Sequence, residues 1–137
     1  MEYTDVSPEQ FGEIGELADW RVVDDSIHAT FDATDYLAAA DLVRTIAGIA
    51  ERHVHHPDVE LRYPGLVHVV LTTHATGGLT THDVDAARAI SAAAASTDAT
   101  SDPSSTRAME LGIDSMDADR IRPFWAAVLG YADHGGY

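Results

Sequence analysis

The sequence predicts an α+β fold, with helices packed on one face of an antiparallel sheet of about four strands. Two patterns carry this reading. Short runs rich in β-branched residues alternate between apolar and polar, most clearly at Leu66 to Thr73 (LVHVVLTT), while two longer segments repeat apolar residues at three-and-four spacing. The order is helix, strand, strand, helix, one or two strands, helix. Helices fall only between or outside hairpin-like strands, so they can share one side of a sheet.

Each element has a local reason. Ser7-Pro8-Glu9-Gln10 opens a helix, with Ser7 as N-cap, Pro8 at the first helical position and Gln10 as capping-box partner. Trp20 to Val23 and Ile27 to Asp32 read as strands around a turn at Asp24-Asp25-Ser26. In the second of these, Ile27, Ala29 and Phe31 share a face opposite His28, Thr30 and Asp32. A helix over 34–53 follows, with Thr34 as N-cap and a stripe of Ala39, Leu42, Val43, Ile46, Ala47 and Ala50. Pro57 disfavours helical geometry at His56 and sets the latest point at which that helix ends. In Leu66 to Thr73, Val67, Val69 and Leu71 face one way. His68, Val70, Thr72 and His74 face the other, the side expected to lack helices. Gly77-Gly78 turns the chain, and Thr80 caps a helix over 81–95 with Asp83 as its capping-box partner.

Apart from Ala99, residues 97–106 are Ser, Thr, Asp and Pro with little to bury, and read as a linker between a domain at 1–96 and a further segment at 107–137. In that segment Met109, Leu111 and Ile113 alternate as a strand. Ile121, Phe124, Trp125, Val128 and Leu129 form a helical stripe, with Asp119 as N-cap so that Pro123 lies in the first turn.

The formal net charge is −15 and lysine is absent. Such a field repels nucleic acid and anionic membranes, so neither is an expected partner, whereas a neutral heterocycle is compatible. The same imbalance is also what adaptation to salt would give. No apolar run is long enough to span a membrane and the N-terminus lacks a signal-peptide pattern. Cysteine is absent, which fits a cytoplasmic location.

Six of the eight histidines fall between His53 and His82. Imidazole titrates near neutrality, so such a crowd points to proton transfer or to a metal. The residues alone leave three readings open for His55, His56 and His74: idle polar side chains, metal ligands or acid–base groups. Adjacent His55 and His56 on an ending helix do not easily chelate one ion, and no metal is expected. His55 and His56 end a helix and His74 ends a strand, positions from which side chains converge. His28 and His68 read as solvated residues on polar strand faces, His53 and His82 as helix-end residues, and Asp83 as a cap.

Glu51 followed by His55-His56-Pro57-Asp58, then Tyr63, then THATGGLTTHD from Thr73 to Asp83, resembles the pterin-4a-carbinolamine dehydratases. Trp20 to Tyr36 is also similar, and the likeness covers about residues 3–95. The Tyr63–His74 segment is one residue longer than in relatives, and Val54 stands where they often carry a polar residue. The resemblance implies dehydration of a 4a-hydroxytetrahydropterin to the quinonoid dihydropterin in pterin recycling, without a cofactor. It implies His55, His56 and His74 as catalytic, and Val54, His55, His56, Thr72, Thr73 and His74 as substrate-binding. It also implies a homodimer or homotetramer. The alternative is the same fold kept as a non-catalytic dimerisation or regulatory module. Glu110 to Tyr131 resembles the first strand and helix of glyoxalase-like, vicinal-oxygen-chelate domains, as if the chain stops inside a second domain. Glu110 stands where metal-using relatives often place His, so no metal is expected there.

Overall fold

The computed structural model describes residues 3–109 and 112–130. The predicted layer is present. A short helix α1 (Pro8–Gly12) and a 3-10 turn lead into β1 (Arg21–Val23) and β2 (Ser26–Asp32), then helix α2 (Tyr36–His53). β3 (Asp58–Arg62), β4 (Leu66–Leu71), helix α3 (Thr81–Ala95), β5 (Thr100–Ser101) and helix α4 (Ala118–Leu129) follow. The sheet is antiparallel in the order β1-β2-β4-β3, with β5 also pairing β2.

Period-two alternation puts Ile27, Ala29 and Phe31 of β2 opposite Leu71, Val69 and Val67 of β4, all buried. Helices α2 and α3 cover this face with Ala39, Leu42, Ile46, Val84, Ala87 and Ile90 in one cluster. Burying each large apolar side chain contributes roughly 1.5–3 kcal/mol, so this face dominates the stability of the domain. The capping boxes at Ser7–Gln10 and Thr80–Asp83 are both made.

Three expectations change, and one left open is resolved. Helix α2 is capped by Asp35, not Thr34: Asp35 is extended, and its carboxylate accepts the N–H groups of Leu37 and Ala38. The expectation of one or two strands after the histidine turn resolves to two, because the stretch before Leu66 is a full edge strand, β3. The turn joining it to β4 passes so close to the start of α2 that a Cβ on Gly65 would lie 2.8 Å from the Ala33 carbonyl oxygen, room only glycine leaves. The predicted linker is also not free of the sheet. Thr100–Ser101 pairs with Asp32 and Phe31, and the Asp102 N–H donates to the Thr30 carbonyl at 2.8 Å.

The third change is in the tail. Met109 and Ile113 belong to no strand, and Leu111 and Glu110 lie outside the described residues. Helix α4 is capped by Asp117, not Asp119, so Pro123 falls within the helix rather than its first turn. None of its residues is buried, and Phe124, Val128 and Leu129 are exposed. A chain ending at Thr106 should therefore melt like the whole. One ending at Ala99 should lose about 1–2 kcal/mol with the β5 hydrogen bonds. Thermal melts followed by circular dichroism check this; an equal loss in both would mean the tail completes the core.

Candidate active site

The site begins with how α2 ends. The His55 N–H bonds the Ala50 carbonyl at 3.1 Å and the Val54 N–H bonds the Glu51 carbonyl at 3.4 Å, the two bonds of a Schellman ending. Its left-handed position is filled by Val54 (φ 51, ψ 39), where glycine is usual. A β-branched residue there costs about 1–2 kcal/mol. The helix thus stops ahead of Pro57, and the reversal turns His55 inward while Val54 and His56 stay exposed.

The His55 side chain is 11% exposed, and its Nε2 lies 2.7 Å from Oδ1 of Asp83, which is fully buried. The other Asp83 oxygen accepts the Thr80 N–H at 2.7 Å and the Thr73 hydroxyl at 2.7 Å. Every partner of Asp83 is thus a donor. His55 must present Nε2–H to it, which leaves the lone pair on Nδ1. A capping acid uses one oxygen for the cap, so its second oxygen is free to orient an imidazole. The sequence reading assigned Asp83 the first role and missed the second. The signal was present: Thr73, Thr80 and Asp83 stand in the same short motif as His74.

The other site residues are placed as follows. His56 Nε2 is 3.1 Å from Glu51 Oε1, both well exposed, a pair worth at most about 1 kcal/mol. His74 is exposed and directly follows the buried Thr73, in a turn where Thr73 and Gly78 pair. Thr73 is spent inward: its hydroxyl meets Asp83 and Thr80, and its N–H donates to the Gly78 carbonyl. The Thr72 hydroxyl donates to the Asp25 carbonyl at 2.7 Å. Asp83 joins His55 and Thr73, one on each carboxylate oxygen; His74 is tied to them through the backbone of Thr73, and His56 through that of His55. The His82 ring lies 6.1 Å from that of His55 and 5.3 Å from that of Tyr3, so it borders the site.

His28 and His68 are not simply solvated. They are half-buried on the helix-free face and hydrogen-bonded to one another, Nδ1 to Nε2, at 3.2 Å. Burial pushes the pKa of both below the usual imidazole value. His68 adds to the lowering of His28, partly opposed by Asp24; Glu60 opposes and Arg62 aids the lowering of His68. A folded-state pKa below the unfolded value means the unfolded chain binds more protons in that window. Stability from this pair should be complete above about pH 6.5 and fall as pH drops below it. Chemical denaturation at pH 7.5 and pH 5.5 checks this, and His28→Gln should flatten the difference.

Among the described residues no three His, Cys, Asp or Glu side chains gather as a metal site, and no helix is long and apolar enough to cross a membrane. A cavity of about 270 Å³ between the start of α2 and residues 97–99 is lined by Ala33, Thr34, Asp41 and Asp98 among others, and by no histidine.

The site can now be set beside known proteins. The family model for pterin 4 alpha carbinolamine dehydratase matches residues 4–93. A protein of Cyanothece named putative pterin-4-alpha-carbinolamine dehydratase is 43% identical over 79 residues, covering 58% of this chain and 80% of its own length. One of the same name from Nocardia farcinica is 44% identical over 75 residues, with coverages of 55% and 78%. The crystal structure of a transcriptional coactivator/pterin dehydratase from Brucella melitensis superposes with a TM-score of 0.60 at 29% identity, covering 65% of this chain and 97% of that one. Strands β1 to β4, helix α2, all but the last two residues of α3, and the joined His55, Thr73 and Asp83 fall within the matched span, and the chain belongs to the pterin 4 alpha carbinolamine dehydratase family.

Proposed function

We propose that this protein dehydrates a 4a-hydroxytetrahydropterin to the quinonoid dihydropterin by acid–base catalysis between histidines, with no cofactor. In that reaction the C4a hydroxyl is protonated and leaves as water, N5 gives up its proton, and the C4a–N5 double bond forms. One acid and one base must act at the same pH. The observation that carries the reading is the 2.7 Å contact between His55 and buried Asp83. It fixes the tautomer with Nδ1 open and stabilises the imidazolium that forms when Nδ1 takes a proton. His55 is then the base, and exposed His74 the acid that protonates the leaving hydroxyl. His56, Val54 and Thr72 line the approach and bind the pterin. Thr73 works from behind, by holding Asp83.

The test is direct. Given a freshly generated 4a-hydroxytetrahydropterin, the protein should form quinonoid dihydropterin well above the spontaneous rate, with a bell-shaped pH profile and no loss in a chelator. A rate equal to the spontaneous one would overturn the reading.

A second reading is supported by the Brucella protein's description as a coactivator as well as a dehydratase. In it the fold serves as a dimerisation or regulatory module. It gives no reason for Asp83 to orient an imidazole, and His55→Ala would leave such a role intact. Either reading calls for association. The outer edge of β3 is paired with no strand among the described residues, and open edges invite pairing. We expect a homodimer or homotetramer by light scattering at moderate salt, where repulsion between acidic chains is screened; a monomer at high concentration would contradict this. The glyoxalase-like reading of Glu110 to Tyr131 rests on its sequence pattern alone.

A further inference from the structure

The helix-free sheet face holds a second imidazole pair that the proposed reaction does not use. His28 on β2 faces Val70, and His68 on β4 faces Thr30, so the two rings meet on the diagonal. His28 Nδ1 and His68 Nε2 lie 3.2 Å apart, with the two ring planes inclined at 45°. The remaining nitrogens are each held by a hydroxyl: His28 Nε2 lies 2.9 Å from Ser26 Oγ, and His68 Nδ1 lies 3.0 Å from Thr30 Oγ1. Ser26 donates its own proton to the Val23 carbonyl at 2.9 Å, so it must accept from His28. His28 therefore carries its proton on Nε2 and turns a lone pair toward His68, which donates its Nε2–H.

We propose that His28 Nδ1 and His68 Nε2 form an open, two-histidine site for a divalent transition metal of borderline softness, with Zn²⁺ as the probe. Two imidazoles on a tetrahedral zinc, at about 2.0–2.1 Å each, stand about 3.3–3.4 Å apart. The observed gap needs to widen by only about 0.2 Å, with both rings tilting to aim their lone pairs at an ion beside the N–N line. The metal takes the place of the shared proton. That proton moves to His68 Nδ1, where the rotatable Thr30 hydroxyl turns to accept it, so no net proton is released. Both ligands then donate their outer N–H to a hydroxyl, the second hydrogen bond that orients metal-bound histidines. Metal ligation needs neutral imidazole, which the burial of both rings favours. Glu60 lies directly across the strand pair from His68, and Asp24 acts on His28, so the local field welcomes a cation; Arg62, paired with Glu60, is the opposing charge. Water completes the coordination. Nitrogen donors select against Mg²⁺ and Ca²⁺.

Zinc titration of the full metal-free chain, read by long-range ¹H–¹⁵N NMR of each imidazole and by calorimetry, tests this. The first equivalent should shift His28 and His68 and switch His68 from Nε2–H to Nδ1–H. Affinity should fall at least about tenfold in His28→Gln and about 10- to 100-fold in Ser26→Ala. The site fails if His28 and His68 do not move while other imidazoles take up the first equivalent, or if His28→Gln binds zinc as the unaltered chain does. If a variant does not fold, the ring-by-ring spectra of the unaltered chain decide alone.

Discussion

His55→Ala should lower turnover by about 100- to 10,000-fold, and His74→Ala by a comparable factor, the range expected when a general acid or base is removed. On the proposed mechanism both groups speed the reaction, because the C4a hydroxyl leaves as water only once protonated and the double bond closes only as N5 loses its proton. His56 is held outside by Glu51, so His56→Ala should chiefly raise KM, as lost binding shared by ground and transition states does. His68→Ala, which removes a ring bonded to His28 and Thr30 and to no residue of the proposed site, is the control that should leave turnover nearly unchanged. Steady-state kinetics on the four variants separates these outcomes. A His55→Ala, His74→Ala double variant that kept full turnover would end the acid–base account.

Asp83→Asn should be nearly as damaging to turnover while leaving the fold in place. The amide oxygen can still accept the Thr80 N–H and the Thr73 hydroxyl. Its NH₂ group then faces His55 and forces Nε2 to become the acceptor, with the proton moved to Nδ1. That is the wrong tautomer for a base, and the loss should be about 100-fold or more. The positioning role has its own signature: ¹⁵N NMR should show His55 switching from Nε2–H to Nδ1–H. Asp83→Ala should add a stability loss of about 2–4 kcal/mol, because a helix cap is lost and buried donors are left unpaired. If Asp83→Asn kept full turnover, the carboxylate would be a cap and nothing more.

The parts of this fold that were legible in the sequence are those set by neighbours in the chain. Ser7 and Thr80 cap their helices with partners three residues on, and the alternation of Ile27 to Asp32 and Leu66 to Leu71 names its own buried face. What was not legible depends on distant partners. β3 has only Val59 and Leu61 as apolar residues among charged ones, and is a strand because β4 pairs with it. Thr100–Ser101 pairs through backbone alone, which no side-chain pattern announces. The histidines divide in the same way. Proximity in the chain flagged His55, His56 and His74. The turn at Val54 that aims His55 at Asp83 runs against residue preference. The meeting of His28 with His68 follows from the β2–β4 register.

The most direct test of the central claim is a crystal structure of the protein with a bound dihydropterin. The account predicts that the ring lies over the end of α2, with N5 within hydrogen-bond reach of His55 Nδ1, His74 beside C4a, and the Asp83 contact to His55 Nε2 retained. A pterin bound instead in the cavity beside Ala33 and Asp98, out of reach of His55, would contradict it.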